Sequence, residues 1–349
     1  MNSRAQVLFL YGPTGVGKSD YALRIAESIP SEIINMDMGQ LYGPLSIGTA
    51  KPDIYATSVP HHCFGILNKP EHYTVTAYRT LCEAIINEVW RCGKLPIVVG
   101  GSGFYLKSLF FPPRSPILCN EDNEGAVNSA ISWLDPNQIH DWDTLNALDP
   151  SRAAQIDPHD RYRIQRALSI WRDTGNKPST FVPQFDPIDI AAAHIICLTR
   201  PRAELYDRIN QRVDTMMSQG WLDEVRDLQH EGWEEFIRYK KIIGYNELCD
   251  VLHAKNQDVA QKISNATLLI KQRTRNYAKR QLSFWRSLCV AFEKESPFSH
   301  STDVALRLIS LTASGTASGN AFYNDPHIDH LIRSLSNYID STITKRGRQ

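Results

Sequence analysis

The chain has 349 residues, 38 Lys and Arg balanced by 38 Asp and Glu, and 42% hydrophobic residues. This is ordinary for a globular protein of one large domain with an insertion, or of two domains. A net charge of zero means that any nucleic-acid surface must come from uneven distribution, seven scattered cysteines without a C-x-x-C pair exclude a disulfide scaffold or a cysteine-rich metal site, and no apolar run reaches the length of a membrane span. A cytoplasmic protein is expected, and the short apolar run at the N-terminus reads as a first strand rather than a targeting segment.

In chain order, residues 7–11 (VLFLY) predict a buried strand, and residues 20–29 carry apolar side chains at helical spacing. Between them stands Gly12-Pro13-Thr14-Gly15-Val16-Gly17-Lys18-Ser19, which fits G-x-x-x-x-G-K-[ST] in the strand–loop–helix context that pattern requires. Glycines let the backbone curl its N–H groups inward. The helix N-terminus and Lys18 add positive charge, and the Ser19 hydroxyl is a ligand for Mg²⁺. The stretch therefore predicts polyphosphate binding without specifying a reaction. Residues 31–37 predict a second buried strand ending at Asp37, which puts that carboxylate beside the phosphate loop, at the carboxyl ends of parallel strands. Residues 47–52 read as a loop. The pair His61 and His62 reads as a hydrogen-bonded structural pair, since no third ligand stands at metal spacing.

A helix is predicted over 76–92 and a third buried strand over 95–100, followed by the turn Gly100-Gly101-Ser102-Gly103. That strand lacks the aspartate that holds Mg²⁺ in most nucleotide hydrolases, which counts against a plain ATPase. Residues 115–150 hold no Lys or Arg, whereas seven acidic residues lie between Glu121 and Asp149, marking an insertion. Residues 149–174 return to a helical, arginine-rich pattern. A core strand is predicted over 194–198 and one long amphipathic helix over 203–228. Arg208 and Arg212, one turn apart on that helix, either clamp a diphosphate or pair with acids such as Glu204 and Asp207. From Lys262 to Arg286 there are seven basic residues and no acidic one. Lys271, Arg275 and Lys279 form one stripe, with Arg273 and Arg280 beside it and Tyr277, Phe284 and Trp285 interleaved, the footprint of a helix lying on phosphates. Beyond about residue 295 the pattern weakens into a partly ordered tail with one short helix near 328–338.

Taken in order, GPTGVGKS (12–19), DMGQLY (37–42), IGTAKP (47–52), PIVVGGSGFYLKSL (96–109), DPSRAAQIDPHDRYRIQRAL (149–168), LYDRINQRVDTMMSQGWLDEV (205–225), IIGYNEL (242–248) and RTRNYAKRQLSFWR (273–286) resemble the tRNA dimethylallyltransferases, also called tRNA isopentenyltransferases. Two departures stand out: Met38 replaces the family's usual Ser after the strand-end Asp, and Ser102 replaces the usual Thr. No cysteine follows Cys289, so the chain is similar to the shorter bacterial type without an appended zinc module.

The resemblance implies an α/β fold, a P-loop NTPase-like parallel sheet flanked by helices. The expected parts are the core over 1–112 and 187–294, a mostly helical insertion domain over 113–186, and the tail over 295–349. It implies transfer of a dimethylallyl group from dimethylallyl diphosphate to N6 of the adenosine 3′ to the anticodon, in tRNAs reading codons that begin with U, with release of diphosphate. Asp37 would be the general base, Thr14 would orient a reactant, and Arg208 or Arg212 would join residues 12–19 and Mg²⁺ on Ser19 around the leaving group. Contacts with the tRNA anticodon stem-loop would come from Asp37, Met38, Gly39, Gln40 and Ser102, from Tyr162, Arg163, Ile164, Gln165 and Arg166, and from the basic helix. A monomer is expected. The competing reading is a P-loop small-molecule kinase, which leaves the acid-free basic helix and the GGSGFYLK turn unexplained.

Overall fold

Seven consecutive buried residues, Ala5–Tyr11, form β1, the strand from which the phosphate loop departs. The computed structural model describes residues 5–111, 142–180, 187–253, 259–294, 303–310 and 333. The chain divides into two units, Met1–Phe110 with Ile188–Gln349, and Phe111–Pro187.

In the first unit the strands after β1 are β2 (Ser31–Asn35), β3 (His61–His62), β4 (Leu95–Gly100), β5 (Ile190–Thr199) and β6 (Asp303–Ser310). They make a six-stranded sheet in the order β3-β2-β4-β1-β5-β6, with every pairing parallel. Parallel neighbours need crossover connections, and the chain supplies them as helices: α1 (Lys18–Ser28), α2 (Val75–Arg91) and α3 (Gly103–Phe110) within the first part of the unit. The strand order reverses at β1, which has β4 on one side and β5 on the other. Tyr11 lies opposite both Gly100 and Cys197 in register, so the three strands end level. Such a switch point is where open α/β sheets gather ligands.

β2 ends at Asn35, two residues before the expected limit, so Asp37 stands free of the strand at the same sheet edge. His61 and His62 form the two-residue edge strand β3. His61 Nδ1 is 2.7 Å from the Val59 carbonyl and His62 Nε2 2.6 Å from Glu32, a structural pairing. The single helix expected over 203–228 is two: α7 (Arg202–Ser218) and α8 (Trp221–His230). The break falls at Gly220, whose φ of 94° is open to glycine and strained for other residues. The turn carries the buried Trp221 against Gly48 and Gly244, where an added Cβ would sit 2.1 and 1.9 Å from the indole. Then follow α9 (Glu234–Lys240), α10 (Tyr245–His253) and α11 (Val259–Lys294), the last longer than its basic stretch.

β6 places a strand within the stretch read as a partly ordered tail. Residues 303–310 pair with β5 at eight consecutive positions, from Ala192↔Asp303 to Thr199↔Ser310, and complete the sheet. Pairing with the edge of an existing sheet, rather than a pattern of its own, decides this element. The helix expected near 328–338 lies outside the described residues apart from Arg333.

The second unit contains α4 (Trp142–Leu148), α5 (Pro150–Ala153) and α6 (Arg161–Thr174). Asp149 caps α5 by accepting from the Arg152 N–H, and Asp160 caps α6 by accepting from the Arg163 N–H. Leu145, Ala153, Ile156, Ile164, Ala167 and Leu168 make its apolar core.

Ending the chain at Lys294 should lower the unfolding temperature by about 4 °C or more in a thermal melt. An unchanged melt would mean that β6 adds nothing to the sheet.

Candidate active site

The phosphate loop runs from the end of β1 to the start of α1. Gly12 has φ 152°, and a Cβ there would lie 2.5 Å from the Leu198 carbonyl oxygen, so the loop passes β5 at a distance only glycine allows. Lys18 donates to the carbonyls of Gly12 and Pro13, both at 2.9 Å. Burial pushes its ammonium down to about 8. Arg212 acts in the same direction and Asp37 opposes it.

Asp37 is held by its neighbours. Its N–H donates to Asn35 Oδ1 at 2.8 Å. The buried Asn35 amide returns a bond to the Asp37 carbonyl at 3.0 Å and reaches the Cys63 carbonyl at 2.9 Å. One carboxylate oxygen of Asp37 accepts from the Gly39 N–H at 3.0 Å. Burial raises the pKa of this carboxyl, while Lys18, the Gly39 and Gln40 N–H groups and Arg212 work against the rise. A carboxylate so placed is a better proton acceptor than a solvated one.

Two cavities meet at this residue. The first, about 560 Å³, is lined by the phosphate loop, Ser19, Asp20 and Arg208 among others. The second, about 310 Å³, is lined by Met38, Gly39, Ser102, Trp221, Lys240 and Arg280 among others. Thr14, Asp37, Thr49 and Arg212 belong to both walls. The two arginines left open by sequence take different places. Arg208 donates from Nε to the Gly15 carbonyl at 2.9 Å and lines the first cavity. Arg212 reaches the Thr49 carbonyl at 3.5 Å and lines both. Glu204, a candidate partner for them, pairs with Arg200 instead.

Gln40 turns its amide to the Thr49 and Ala50 carbonyls at 3.0 and 3.1 Å, and Ser102 Oγ accepts from the Met38 N–H at 3.2 Å. Ser102 therefore keeps the hydroxyl contact that matters to the strand-end turn, and Met38 presents its backbone to it. Ile164, expected to touch RNA, is 1% exposed in the apolar core of the second unit, because it falls on the inner face of α6. Arg163, Gln165 and Arg166 are exposed on that helix, with Arg163 paired to Asp160, and the side chain of Tyr162 lies outside the described residues.

The basic stripe of α11 is divided. Lys271 pairs with Asp214 at 2.7 Å, Arg273 with the buried Glu247, and Arg275 donates to Asn210 Oδ1 at 2.6 Å. Those three side chains join α11 to α7 and α10. Lys279 and Arg280 are exposed, and Arg280 reaches the wall of the second cavity. The even spacing of charges in sequence hid this division, because their partners, Asp214, Glu247 and Asn210, come from other helices.

Two residues central to the arrangement were missed. The buried Gln281 accepts from the Thr14 N–H at 2.9 Å, donates to the Gly101 carbonyl at 2.9 Å, and its own carbonyl accepts from the Tyr11 hydroxyl at 2.8 Å. One amide thus ties α11 to both glycine-rich turns. Glu224 takes the N–H groups of Ser46, Ile47 and Gly48 at 3.1, 2.6 and 3.2 Å and the Tyr245 hydroxyl at 2.7 Å, fixing the loop that carries Thr49. A polar residue on the apolar face of α11 was the only signal for Gln281; Glu224, in the first turn of a helix, reads as an ordinary end charge.

For Mg²⁺ the donor set is sparse. Ser19 is exposed on the first turn of α1 and shares the first cavity with Asp20 and Asp37. Among the described residues no group of three or more His, Cys, Asp or Glu could hold a metal. A lone hydroxyl beside an open phosphate cradle suits Mg²⁺, which keeps waters and takes most of its protein-side charge from substrate phosphates.

Residues 40–288 match the family model described as IPP transferase. The chain is 38% identical over 289 residues to a tRNA dimethylallyltransferase of Petrotoga mobilis, covering 81% of this chain and 91% of that one. It is 33% identical over 285 residues to that of Alkaliphilus oremlandii, covering 81% and 89%. Among solved structures, a eukaryotic dimethylallyltransferase acting on tRNA superposes with a TM-score of 0.75 at 27% identity, over 97% of this chain and 80% of that one. The tRNA isopentenylpyrophosphate transferase of Bacillus halodurans superposes with a TM-score of 0.61 at 27% identity, over 99% of each.

Gln281→Met keeps the side-chain length and removes both amide hydrogen bonds, to the part-buried Thr14 N–H and to the Gly101 carbonyl. Urea denaturation should show a loss of about 1–3 kcal/mol; no loss would mean that the bridge is dispensable.

Proposed function

The chain belongs to the IPP transferase family, and we propose that it transfers a dimethylallyl group from dimethylallyl diphosphate to N6 of an adenosine in tRNA, the one 3′ to the anticodon. The observation that carries this reading is the position of Asp37, in the common wall of two cavities. A single cavity would suit a phosphoryl transfer between a nucleotide and a small acceptor. Two cavities meeting at one carboxylate suit a donor and an acceptor that arrive separately.

The diphosphate of the donor occupies the first cavity. The loop N–H groups, Lys18 and the two arginines hold its charge, with Arg208 keyed to the loop through Gly15 and Arg212 at the junction. Ser19 is the residue that would hold Mg²⁺, which supplies charge neutralisation to the departing group. The adenine enters the second cavity after leaving its stack. The N6 lone pair attacks the allylic carbon, the N–C bond forms as the C–O bond breaks, and the electron pair leaves with diphosphate. Asp37 accepts the proton that N6 gives up. Thr14, fixed by Gln281 through its backbone, lines both cavities and orients the reactants where they meet. Lys279 and Arg280 hold the RNA backbone, and the exposed Arg163, Gln165 and Arg166 give the second unit its own contacts with the anticodon arm. The protein acts as a monomer. Among the described residues no helix is long and apolar enough to cross a membrane.

Asp37→Asn should lower turnover by about 10²- to 10⁴-fold, read by mass spectrometry of nucleosides from treated tRNA, with tRNA affinity nearly unchanged. Undiminished turnover would remove Asp37 from the chemistry.

Lys18 is protonated below about pH 8 and neutral above it. Affinity for pyrophosphate, measured by calorimetry against a Lys18→Arg variant that stays charged, should therefore fall between pH 7 and pH 9. Parallel profiles for the two proteins would show that Lys18 does not titrate in this range.

A further inference from the structure

Three aromatic side chains among the described residues are largely exposed: Tyr55 (91%), Phe104 (64%) and Tyr239 (67%). A lone exposed ring is ordinary on a protein surface. The setting of Phe104 is not. It is the second residue of α3, two beyond Ser102, which lines the second cavity. Its ring centroid lies 5.3 Å from that of Phe284 at 57°. Phe284 stands one helical turn beyond Arg280, another residue of the same wall. The start of α3 is pressed onto α11 here, since a Cβ on Gly103 would lie 2.3 Å from the Phe284 ring. The Phe104 ring thus contacts Phe284 at a tilt and stays 64% exposed, with the exposed cations Lys279 and Arg280 on the adjoining helix.

We propose that Phe104, backed by Phe284, is a stacking platform for one unpaired RNA base, a neighbour of the adenosine that enters the second cavity. The inference rests on the functional reading above. When one nucleotide is extruded from a loop, each flanking base loses a stacking surface, and single-stranded RNA is commonly held by aromatic rings that replace it. A ring at the cavity mouth flanked by backbone-seeking cations meets both needs. The platform distinguishes no base identity, because every base offers a π-face. It holds the loop in the opened conformation.

The test uses an anticodon stem-loop RNA with 2-aminopurine placed in turn on either side of the acceptor adenosine. Phe104→Leu retains an apolar contact with Phe284 and lacks a π-face; Phe104→Trp retains the face. Phe104→Leu should weaken RNA binding by at least about fivefold and alter 2-aminopurine emission in the complex at one flanking position. Phe104→Trp should behave as wild type. In all variants the KM for the prenyl donor and the unfolding temperature stay unchanged. Tyr55→Leu, at a still more exposed ring beside residues of the first cavity, leaves RNA affinity unchanged. Wild-type affinity and emission in Phe104→Leu would overturn the platform, as would an equal loss in Phe104→Trp. Failure of the wild-type protein to prenylate the unlabelled RNA would instead overturn the functional reading, so the two failures are distinct.

Discussion

Asp37 and Arg212 stand in the common wall of two cavities, with Lys18 beside them in the first, and burial works against the charge of each. Each ion makes the others tolerable: Lys18 and Arg212 restrain the rise in the Asp37 pKa, and Asp37 restrains the fall in theirs. A negatively charged leaving group arriving beside Lys18 and Arg212 relieves their burial directly. The same arrival leaves Asp37 facing more negative charge, which favours uptake of a proton. On the proposed function, binding of the donor and the basicity of Asp37 would thereby be coupled through electrostatics.

That balance depends on a scaffold held to close tolerances. Gly100 closes β4 so near Met36 that an added Cβ would lie 1.9 Å from the Met36 carbonyl oxygen, and Gly12 skims β5 in a similar way. These approaches bring three strand ends to one point. Gln281 then locks α11 across the two turns that leave it. The long helix has two functions along its length. Lys271, Arg273 and Arg275 fasten it to neighbouring helices, and Lys279 and Arg280 remain directed to solvent and to the cavity mouth.

The corrections to the sequence reading share a cause. A charge on a helix has a face by periodicity, but its partner is fixed by whichever element packs there, often far along the chain. Arg275 meets Asn210, Arg273 meets Glu247, and Gln281 meets Thr14 and Gly101. β6 likewise has little pattern of its own, since its identity as a strand comes from the open edge of β5.

What the sequence by itself determined is local and chemical: the phosphate loop between a buried strand and a helix, a carboxylate at the carboxyl end of another strand, the position of the insertion, and the family that the ordered motifs resemble. These survive as pattern because backbone curvature needs glycine, buried strands need apolar runs, and helices need a 3.6-residue period. Tertiary structure alone decided that Asp37 and Arg212 stand in the walls of both cavities, that Gln281 and Glu224 brace the loops around them, and that only part of the basic stripe is open to a partner. Those facts follow from contacts between segments distant in the chain, where the geometry of packing, and not the order of residues, selects which groups meet.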